Sequence, residues 1–441
     1  MLWWSISKAM DQLSVSSMFI KAHITNLVKF LDPKTILYVC IVVLVTLWIY
    51  WLFCVPFVWI KYLDDVSYSK VSKREDFCRN NNKRDAINRI RKAKKNSSNE
   101  MPPPFPNGWY AILESSKVRP GEAKFVACLG EKLVVYRTQK HKVFVLDAYC
   151  PHLGANLGVG GRVVGDNIEC PFHQWSFRGE DGSCNNIPYS TSIPRGTNVK
   201  KWISQEVNDF IFIWYHAEST DPWELPVTME IQEKNISYHG RNEFYINCHI
   251  QEIPENGADM AHFSAIHSES FLAGSLAPSK SLLGQFGCHK WNARWLPGTG
   301  EEKHVAEITL THSLQIIRKV HCFLMNVSVK QIGPSFVYLK MNSSTFGQIQ
   351  VLQTITPIEP LLQKVVHRFY GPRWLGPLLK VLIYGESVMF ERDINMWNHK
   401  VFRRNPILAK EDSSIKQFRM WYSQFYTSSS KQFSQVTNDD W

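Results

Sequence analysis

Two short stretches, Cys150-Pro151-His152 and Cys170-Pro171-Phe172-His173, with seventeen residues between them, constrain this chain more than any other feature. Thiolate and imidazole are the common protein ligands for zinc and for iron, so each stretch offers one ligand of each kind. Two loops carrying such ligands must meet at one centre, and short strands with tight turns bring loops together. Zinc sites usually draw Cys with Cys and His with His from each loop. Here each loop supplies one of each.

That mixed pairing suits a Rieske [2Fe–2S] centre, in which two thiolates hold one iron and two imidazoles hold the other. The flanking residues, His152-Leu153-Gly154-Ala155 and Pro171-Phe172-His173-Gln174-Trp175, resemble Rieske cluster loops. The resemblance makes Cys150, His152, Cys170 and His173 the cluster ligands, with structural zinc as the alternative. Respiratory Rieske proteins carry an additional disulfide between their loops. The matching positions resemble Ala155 and Phe172, which cannot form one, so the resemblance points to the oxygenase type. Cys184, nearby, is expected to be a small buried hydrophobe. Gly158, Gly160, Gly161 and Gly165 read as turn residues, because no βαβ unit surrounds them. No flavin or nicotinamide domain is recognisable, so electrons are expected from another protein.

A second constellation lies in Asp259-Met260-Ala261-His262-Phe263-Ser264-Ala265-Ile266-His267. Two His and one carboxylate on one face of a metal leave positions open for oxygen, the arrangement of non-haem Fe(II) oxygenases. Five residues apart on an ideal helix, His262 and His267 would diverge by roughly 140°. The helix must therefore bend or end between them. After a Rieske motif, this segment resembles the oxygenase α-subunit pattern. The resemblance implies a third ligand, a carboxylate on a C-terminal helix. Asp393 is preferred, with Glu391 and Glu386 as contenders, because its position resembles that of the family's carboxylate and it shares one helical face with Phe390 and Trp397. By the same resemblance Asp259 acts in catalysis, linking His173 of one chain to His262 of the next.

The formal net charge of +11 raises the question of nucleic acid, but the charge is not spread over the folded part. Residues 61–95 hold twelve Lys or Arg against five Asp or Glu. A nucleic-acid reader needs a basic face on its folded domain, so none is expected as a partner. Immediately before lies residues 36–60, an uncharged apolar run long enough to cross a bilayer as a tilted helix. Pro56 near its end is tolerable in a membrane helix. The excess of Lys and Arg on the C-terminal flank places the following chain in the cytosol. The sequons at Asn96, Asn235, Asn326 and Asn342 would then stay unglycosylated. Residues 1–31, with Trp3, Trp4, Met18, Phe19 and Phe30 among polar residues, are assigned to the membrane interface.

These readings divide the chain into residues 1–35, a transmembrane helix 36–60, a basic and Pro-rich linker 61–106, an all-β Rieske domain 107–220 and an α+β catalytic domain 221–441. Strands are expected at 133–137, 143–147, 167–170 and 210–215. Further strands are expected at 244–250, 321–331, 336–341 and 348–356, and helices at 254–267 and 378–402. The fold class is α+β.

The anchor, Asn107-Gly108-Trp109-Tyr110, and Ala148-Tyr149-Cys150-Pro151-His152-Leu153-Gly154-Ala155-Asn156-Leu157 together resemble the Neverland family of cholesterol 7-desaturases. Gly179-Glu180-Asp181-Gly182 and Ile187-Pro188-Tyr189-Ser190 extend the resemblance across the soluble chain. It implies 7,8-dehydrogenation of cholesterol to 7-dehydrocholesterol in steroid hormone biosynthesis. It also implies a Rieske cluster, a mononuclear non-haem Fe(II), O2, and electrons from NAD(P)H through a separate reductase. A helix-grip-like catalytic domain, a homotrimer and an endoplasmic-reticulum location come from the same source. The alternatives are a Rieske ketosteroid hydroxylase, a membrane-bound Rieske electron carrier and a sterol carrier. The second constellation argues against the electron carrier, and the first against the sterol carrier.

Overall fold

A computed structural model describes residues 32–66, 101–275, 287–316, 320–343 and 347–436, with Asn88, Arg91, Lys92 and Lys94 alone from the intervening stretch. Residues 1–31, most of the basic linker and Cys322's side chain lie outside the described residues, so the interfacial assignment of residues 1–31 is not addressed. The chain falls into two units, Met1–Val55 and Pro56–Trp441.

In the first unit, helix α1 (Pro33–Cys54) starts on Asp32, whose carboxylate accepts from the amides of Lys34 and Thr35 at 2.8 and 3.1 Å. Pro33 stands at the first helical position, where its missing N–H costs nothing. The helix has 22 residues, about 33 Å, and none is buried. It is long and apolar enough to cross a membrane. It is also shorter than the apolar run. Val55 is extended and Pro56 cannot continue the hydrogen-bond ladder, so the expected span to residue 60 is corrected: Phe57–Lys61 is strand β1.

The second unit opens with β1, which pairs in parallel with β12 (Ser237–Ile246) at the edge of an eight-stranded sheet. Phe57 lies opposite Gly240, whose φ is +152°; a Cβ there would sit 2.1 Å from the Phe57 carbonyl oxygen. The sheet order is β1-β12-β18-β17-β16-β15-β14-β13, and all pairs after the first are antiparallel. Its remaining strands are β13 (Gly287–Pro297), β14 (Val305–Ile316), β15 (Val320–Ile332), β16 (Phe336–Ser343), β17 (Gly347–Glu359) and β18 (Leu362–Gly371). Helix α2 (Met260–Ile266) packs by β13. Helix α3 (Gly376–Trp397) lies across β12, β1 and β18, pressing Ile383 onto Val351 and Phe369. Helix α4 (Ser413–Tyr422) buries Phe418, Trp421 and Tyr422 against Trp295 and Ile308.

Between β1 and β12 the chain builds three small sheets. One is β10 (Ser204–Val207), β11 (Phe210–Tyr215) and β2 (Gly108–Glu114). The second is β3 (Ala123–Cys128), β4 (Glu131–Arg137) and β5 (Val143–Asp147). The third is β6 (Arg162–Val164), β7 (Asn167–Glu169), β8 (Ser176–Arg178) and β9 (Cys184–Asn186).

Strand alternation explains why no gap separates these small sheets from the large one. In β11, Phe210, Phe212 and Trp214 join Leu352, Val366 and Tyr370 of the large sheet. Ile211, Ile213 and Tyr215 face the other way, into a core shared with Phe244, Val365 and Trp397. The expected boundary at residue 220 is thus crossed by two cores, and the parts form one compact unit. The Pro-rich lead-in differs from a free spacer in the same way. Met101, Phe105 and Val66 are buried, and the buried Lys94 ammonium donates to the carbonyls of Asn247 and Trp397.

Candidate metal centres

The two cluster loops are near copies of each other. In the first, between β5 and β6, the Cys150 amide donates to Ala155 O at 2.9 Å and the Gly154 amide to Cys150 O at 3.0 Å. In the second, between β7 and β8, the Cys170 amide donates to Trp175 O at 2.8 Å and the Gln174 amide to Cys170 O at 3.0 Å. Each turn needs a left-handed residue four positions after its cysteine: Gly154 has φ 72° and Gln174 φ 60°. Short strands β6–β9 hold the bases of both loops in one sheet.

These turns bury both thiols, and the His152 and His173 rings stand 4.7 Å apart. Trp175 stacks flat on His152 at 4.6 Å, and its indole N–H donates to the Tyr189 hydroxyl at 2.7 Å. Cys150 and Cys170 are both unbridged thiols. Burial, reinforced by the neighbouring Cys170, pushes the Cys150 thiol up to about 11. The Nδ1 atoms of His152 and His173 are buried without a protein partner. Two buried thiols and two orphaned imidazole nitrogens are the donor set a [2Fe–2S] cluster of the Rieske type requires, so the residues fit that group.

The second centre is assembled by helix ends. Asp259 caps α2, its carboxylate accepting from the His262 amide at 3.2 Å. The helix stops at Ile266, and His267 comes next with φ −106° and ψ 10°. That break lets both imidazoles turn to one point despite their spacing, and the rings come within 5.2 Å. Asp393, the eighteenth of the 22 residues of α3, places Oδ2 3.1 Å from His267 Nε2. One ligand atom from each of His262, His267 and Asp393 lies within 4.8 Å of the others, and all three side chains are buried.

Orphaned atoms test the fit here too. Asp393 Oδ1 and His267 Nδ1 are buried without a partner. The His262 imidazole is held below its usual pKa by burial, against the pull of Asp393, which keeps it neutral and able to bind a metal. Its Nδ1 contacts the Asp259 carbonyl oxygen, which fixes Nδ1 as the donor and leaves Nε2 for a ligand bond. Within one chain, then, the Asp259 backbone orients the ring while its carboxylate caps the helix. The set fits a facial two-histidine, one-carboxylate iron site.

The contenders for the third ligand point elsewhere. Glu391 accepts from Trp59 Nε1 at 3.3 Å, on the β1 side of the helix. Glu386 accepts from Asn242 Nδ2, and Asn242 Oδ1 in turn lies 2.6 Å from His367 Nδ1. Sequence reasoning missed the side chains that fix the His267 turn. Trp291 Nε1 donates to His267 O at 3.2 Å, and Arg392 donates to four carbonyls after Phe263. Trp291, flanked by His289 on its own strand and by His312 opposite it on β14, shows no motif; only the strand register brings it there.

With the geometry in place, the chain can be set beside known proteins. Residues 108–202 match the Rieske [2Fe-2S] domain family, and residues 213–426 match the 3-Ketosteroid 9alpha-hydroxylase C-terminal domain family. The chain is 62% identical over 394 residues to the cholesterol 7-desaturase of Drosophila melanogaster, covering 89% of this chain and 92% of that one. It is 45% identical over 347 residues to the cholesterol 7-desaturase of Xenopus laevis, covering 78% and 76%. Among solved structures, NdmB of Pseudomonas putida CBB5 shares the fold, with a TM-score of 0.53 at 17% identity over 73% of this chain and 93% of that one.

Proposed function

We propose that this chain, which belongs to the cholesterol 7-desaturase family of Rieske oxygenases, is an oxidoreductase that removes two hydrogens from C7 and C8 of cholesterol to give 7-dehydrocholesterol. The observation that carries the reading is the 62% identity to the Drosophila relative across 89% of the chain, which includes both metal centres. The reaction consumes O2 and two electrons, which come from NAD(P)H through a separate reductase, and the product feeds steroid hormone synthesis.

In this reading Cys150 and Cys170 hold one cluster iron, His152 and His173 the other, and His262, His267 and Asp393 hold a mononuclear Fe(II). When bound, the cluster supplies single electrons and the mononuclear iron supplies oxygen activation. The protein's own part is to hold these groups in fixed orientation. Trp175 backs the His152 ring with an apolar plane, and the Tyr189 hydroxyl pins that indole. The Asp259 carbonyl selects the His262 tautomer. The Asp259 carboxylate, half-buried at the start of α2, is assigned the link to His173 of a neighbouring subunit in a head-to-tail homotrimer. A hydrogen-bonded carboxylate between two metal-bound imidazoles couples their protonation to redox state.

Helix α1 anchors the chain in the membrane, in the endoplasmic reticulum with the catalytic part in the cytosol. A bilayer anchor suits a substrate that is itself delivered from the bilayer. Residues 107–220 and 221–441 are assigned as the cluster-bearing and iron-bearing domains, joined through shared cores. The match of residues 213–426 to a ketosteroid hydroxylase domain makes hydroxylation the reading to exclude. Cholesterol is incubated with membranes containing the chain, a reductase and NAD(P)H. A product two hydrogens lighter, with the ultraviolet absorption of a conjugated diene, supports desaturation. A product heavier by one oxygen and lacking that absorption overturns it.

A further inference from the structure

We infer that Arg392 is a positioning residue for the mononuclear centre: its guanidinium locks the turn carrying His267 to the helix carrying Asp393. The inference rests on the assignment of Fe(II) to His262, His267 and Asp393, and concerns what sets the strength of that site.

Arg392 precedes Asp393 on α3, so the two side chains leave the helix about 100° apart. The Asp393 carboxylate turns toward His267, while the guanidinium turns to the backbone on either side of that histidine. There Nη1 donates to Ile266 O at 3.0 Å and Glu269 O at 2.9 Å, Nη2 to Ser270 O at 2.8 Å, and Nε to Gly274 O at 3.0 Å. Asn395, one turn away, adds a bond to Ser275 O at 2.9 Å. From the opposite side, β13 takes the remaining carbonyls: Trp291 Nε1 holds His267 O, and the His289 amide holds Ser268 O at 2.7 Å. Every carbonyl from Ile266 to Ser270 therefore has a donor, three of the five from Arg392.

The turn at His267 has no helix or strand of its own to pair its half-buried carbonyls; only Ser270 O has a further donor, the Ala273 amide at 3.0 Å. Arg392 satisfies them only when the turn lies at one distance from α3, and that distance sets the 3.1 Å between His267 Nε2 and Asp393 Oδ2. Arg392 is also only 2% exposed, and its carbonyl partners are neutral. A cation that formed an ion pair with Asp393 would compete with iron for the carboxylate; here its donors are committed elsewhere. Gly385 lets the Phe271 ring close on the helix, 3.2 Å from where a Cβ would stand, so packing supports the same contact.

Lysine preserves the charge but cannot reproduce a planar fork with donors in fixed directions. The full-length chain in detergent, depleted of mononuclear iron, is titrated with Fe(II) as wild type and as Arg392→Gln, Arg392→Lys, Asn395→Ala and Asp393→Ala. Readouts are the Fe(II) dissociation constant, the paramagnetic resonance spectrum of the nitric oxide adduct, and the reduced cluster signal as an internal control. Loss of an outer hydrogen-bonding partner typically weakens a metal site about 10–100-fold. Arg392→Gln should fall in that range with an altered nitrosyl spectrum and an unchanged cluster signal. Arg392→Lys should recover only part of the loss, and Asn395→Ala, which removes a single bond to the turn, should weaken binding less than Arg392→Gln does. Wild-type affinity in Arg392→Gln, or full recovery in Arg392→Lys, overturns the inference. If Arg392→Gln yields no folded protein, wild-type affinity in both Arg392→Lys and Asn395→Ala overturns it. Equal iron binding by wild type and Asp393→Ala instead overturns the assignment of the site itself.

Discussion

The two metal centres are built on opposite plans. The cluster loops close within residues 150–175, with each loop's backbone bonded to itself and four short strands at its base. The mononuclear centre draws His262 and His267 from the end of one helix and Asp393 from another that comes after the entire eight-stranded sheet. The first depends on local turns. The second depends on tertiary docking, and is correctly spaced only when α2, β13 and α3 are all in place. Local closure costs little chain entropy, whereas long-range closure must be maintained by packing. Substitutions that loosen the large sheet should therefore affect iron before cluster.

The sharpest test removes one ligand from the dispersed site. Asp393→Ala should abolish turnover, a loss beyond about 100-fold, and release mononuclear iron while the reduced cluster signal persists. Metal analysis with paramagnetic resonance checks both halves at once. Loss of the cluster signal in that variant would break the independence of the two plans.

Asp259→Asn separates charge from geometry at the junction between the centres. Asparagine caps a helix as well as aspartate does, and the ring of His262 is oriented by the backbone carbonyl at position 259, which is unchanged. Both metals should remain at wild-type content, and turnover should fall by about 10–100-fold, the range for loss of a partner to metal-bound histidine. Near-normal turnover with cholesterol, in the same assay, would sink the proposed bridging role.

How much of this is legible in the residues alone divides along the same line. The cluster ligands lie in two adjacent motifs whose spacing states the geometry, so sequence suffices to collect them. The angular spacing of His262 and His267 requires a break, and the helix ends at Ile266 as that spacing demands. Face and resemblance favour Asp393 over Glu391 and Glu386, yet only the fold shows Glu391 turned to Trp59. Strand β1 is hidden because this half-buried edge strand, Phe57–Lys61, continues the apolar run of the helix before it. Hydropathy does not separate the two, and Pro56, tolerable as a kink, is the signal for the change. The four carbonyls on Arg392 have no signature either, since backbone acceptors leave no trace in side-chain pattern.

The two plans meet at Glu114, where a substitution should weaken both. At the end of β2, Glu114 accepts from Arg241 Nη1 at 2.5 Å and from Arg368, both buried on strands of the large sheet. Glu114→Gln leaves two buried guanidinium groups undercompensated, a loss of about 3–5 kcal/mol. Because two cores cross between the cluster-bearing and iron-bearing parts, urea should unfold both in one transition at a lower midpoint. Cluster absorbance and tryptophan fluorescence report the two parts, and separated midpoints would show that the cluster half stands alone.

The smallest effect concerns a histidine outside both centres, and it shows how burial without a counter-ion differs from burial at a ligand. His249 is fully buried; its Nε2 lies 3.2 Å from Pro103 O and its Nδ1 accepts from the Gln251 amide at 3.2 Å. A proton on Nδ1 would face that N–H, and burial holds the imidazole down at about 4 against an ordinary value of 6.5. In the unfolded chain the ring takes up its proton near pH 6.5, while the folded chain refuses it until about pH 4. Below pH 6.5 the unfolded state binds more protons, so stability falls as the medium is acidified and levels off below about pH 4. At about 1.4 kcal/mol per unit of pH, the loss attributable to His249 reaches about 2 kcal/mol at pH 5. Metal ligands also protonate on acidification, so wild type must be compared with His249→Asn at each pH. The variant starts less stable at about pH 7.5, and its stability should fall less steeply than that of wild type between about pH 6.5 and 5. Parallel urea-denaturation profiles in the two proteins would show that His249 exchanges its proton as readily folded as unfolded, contrary to its burial.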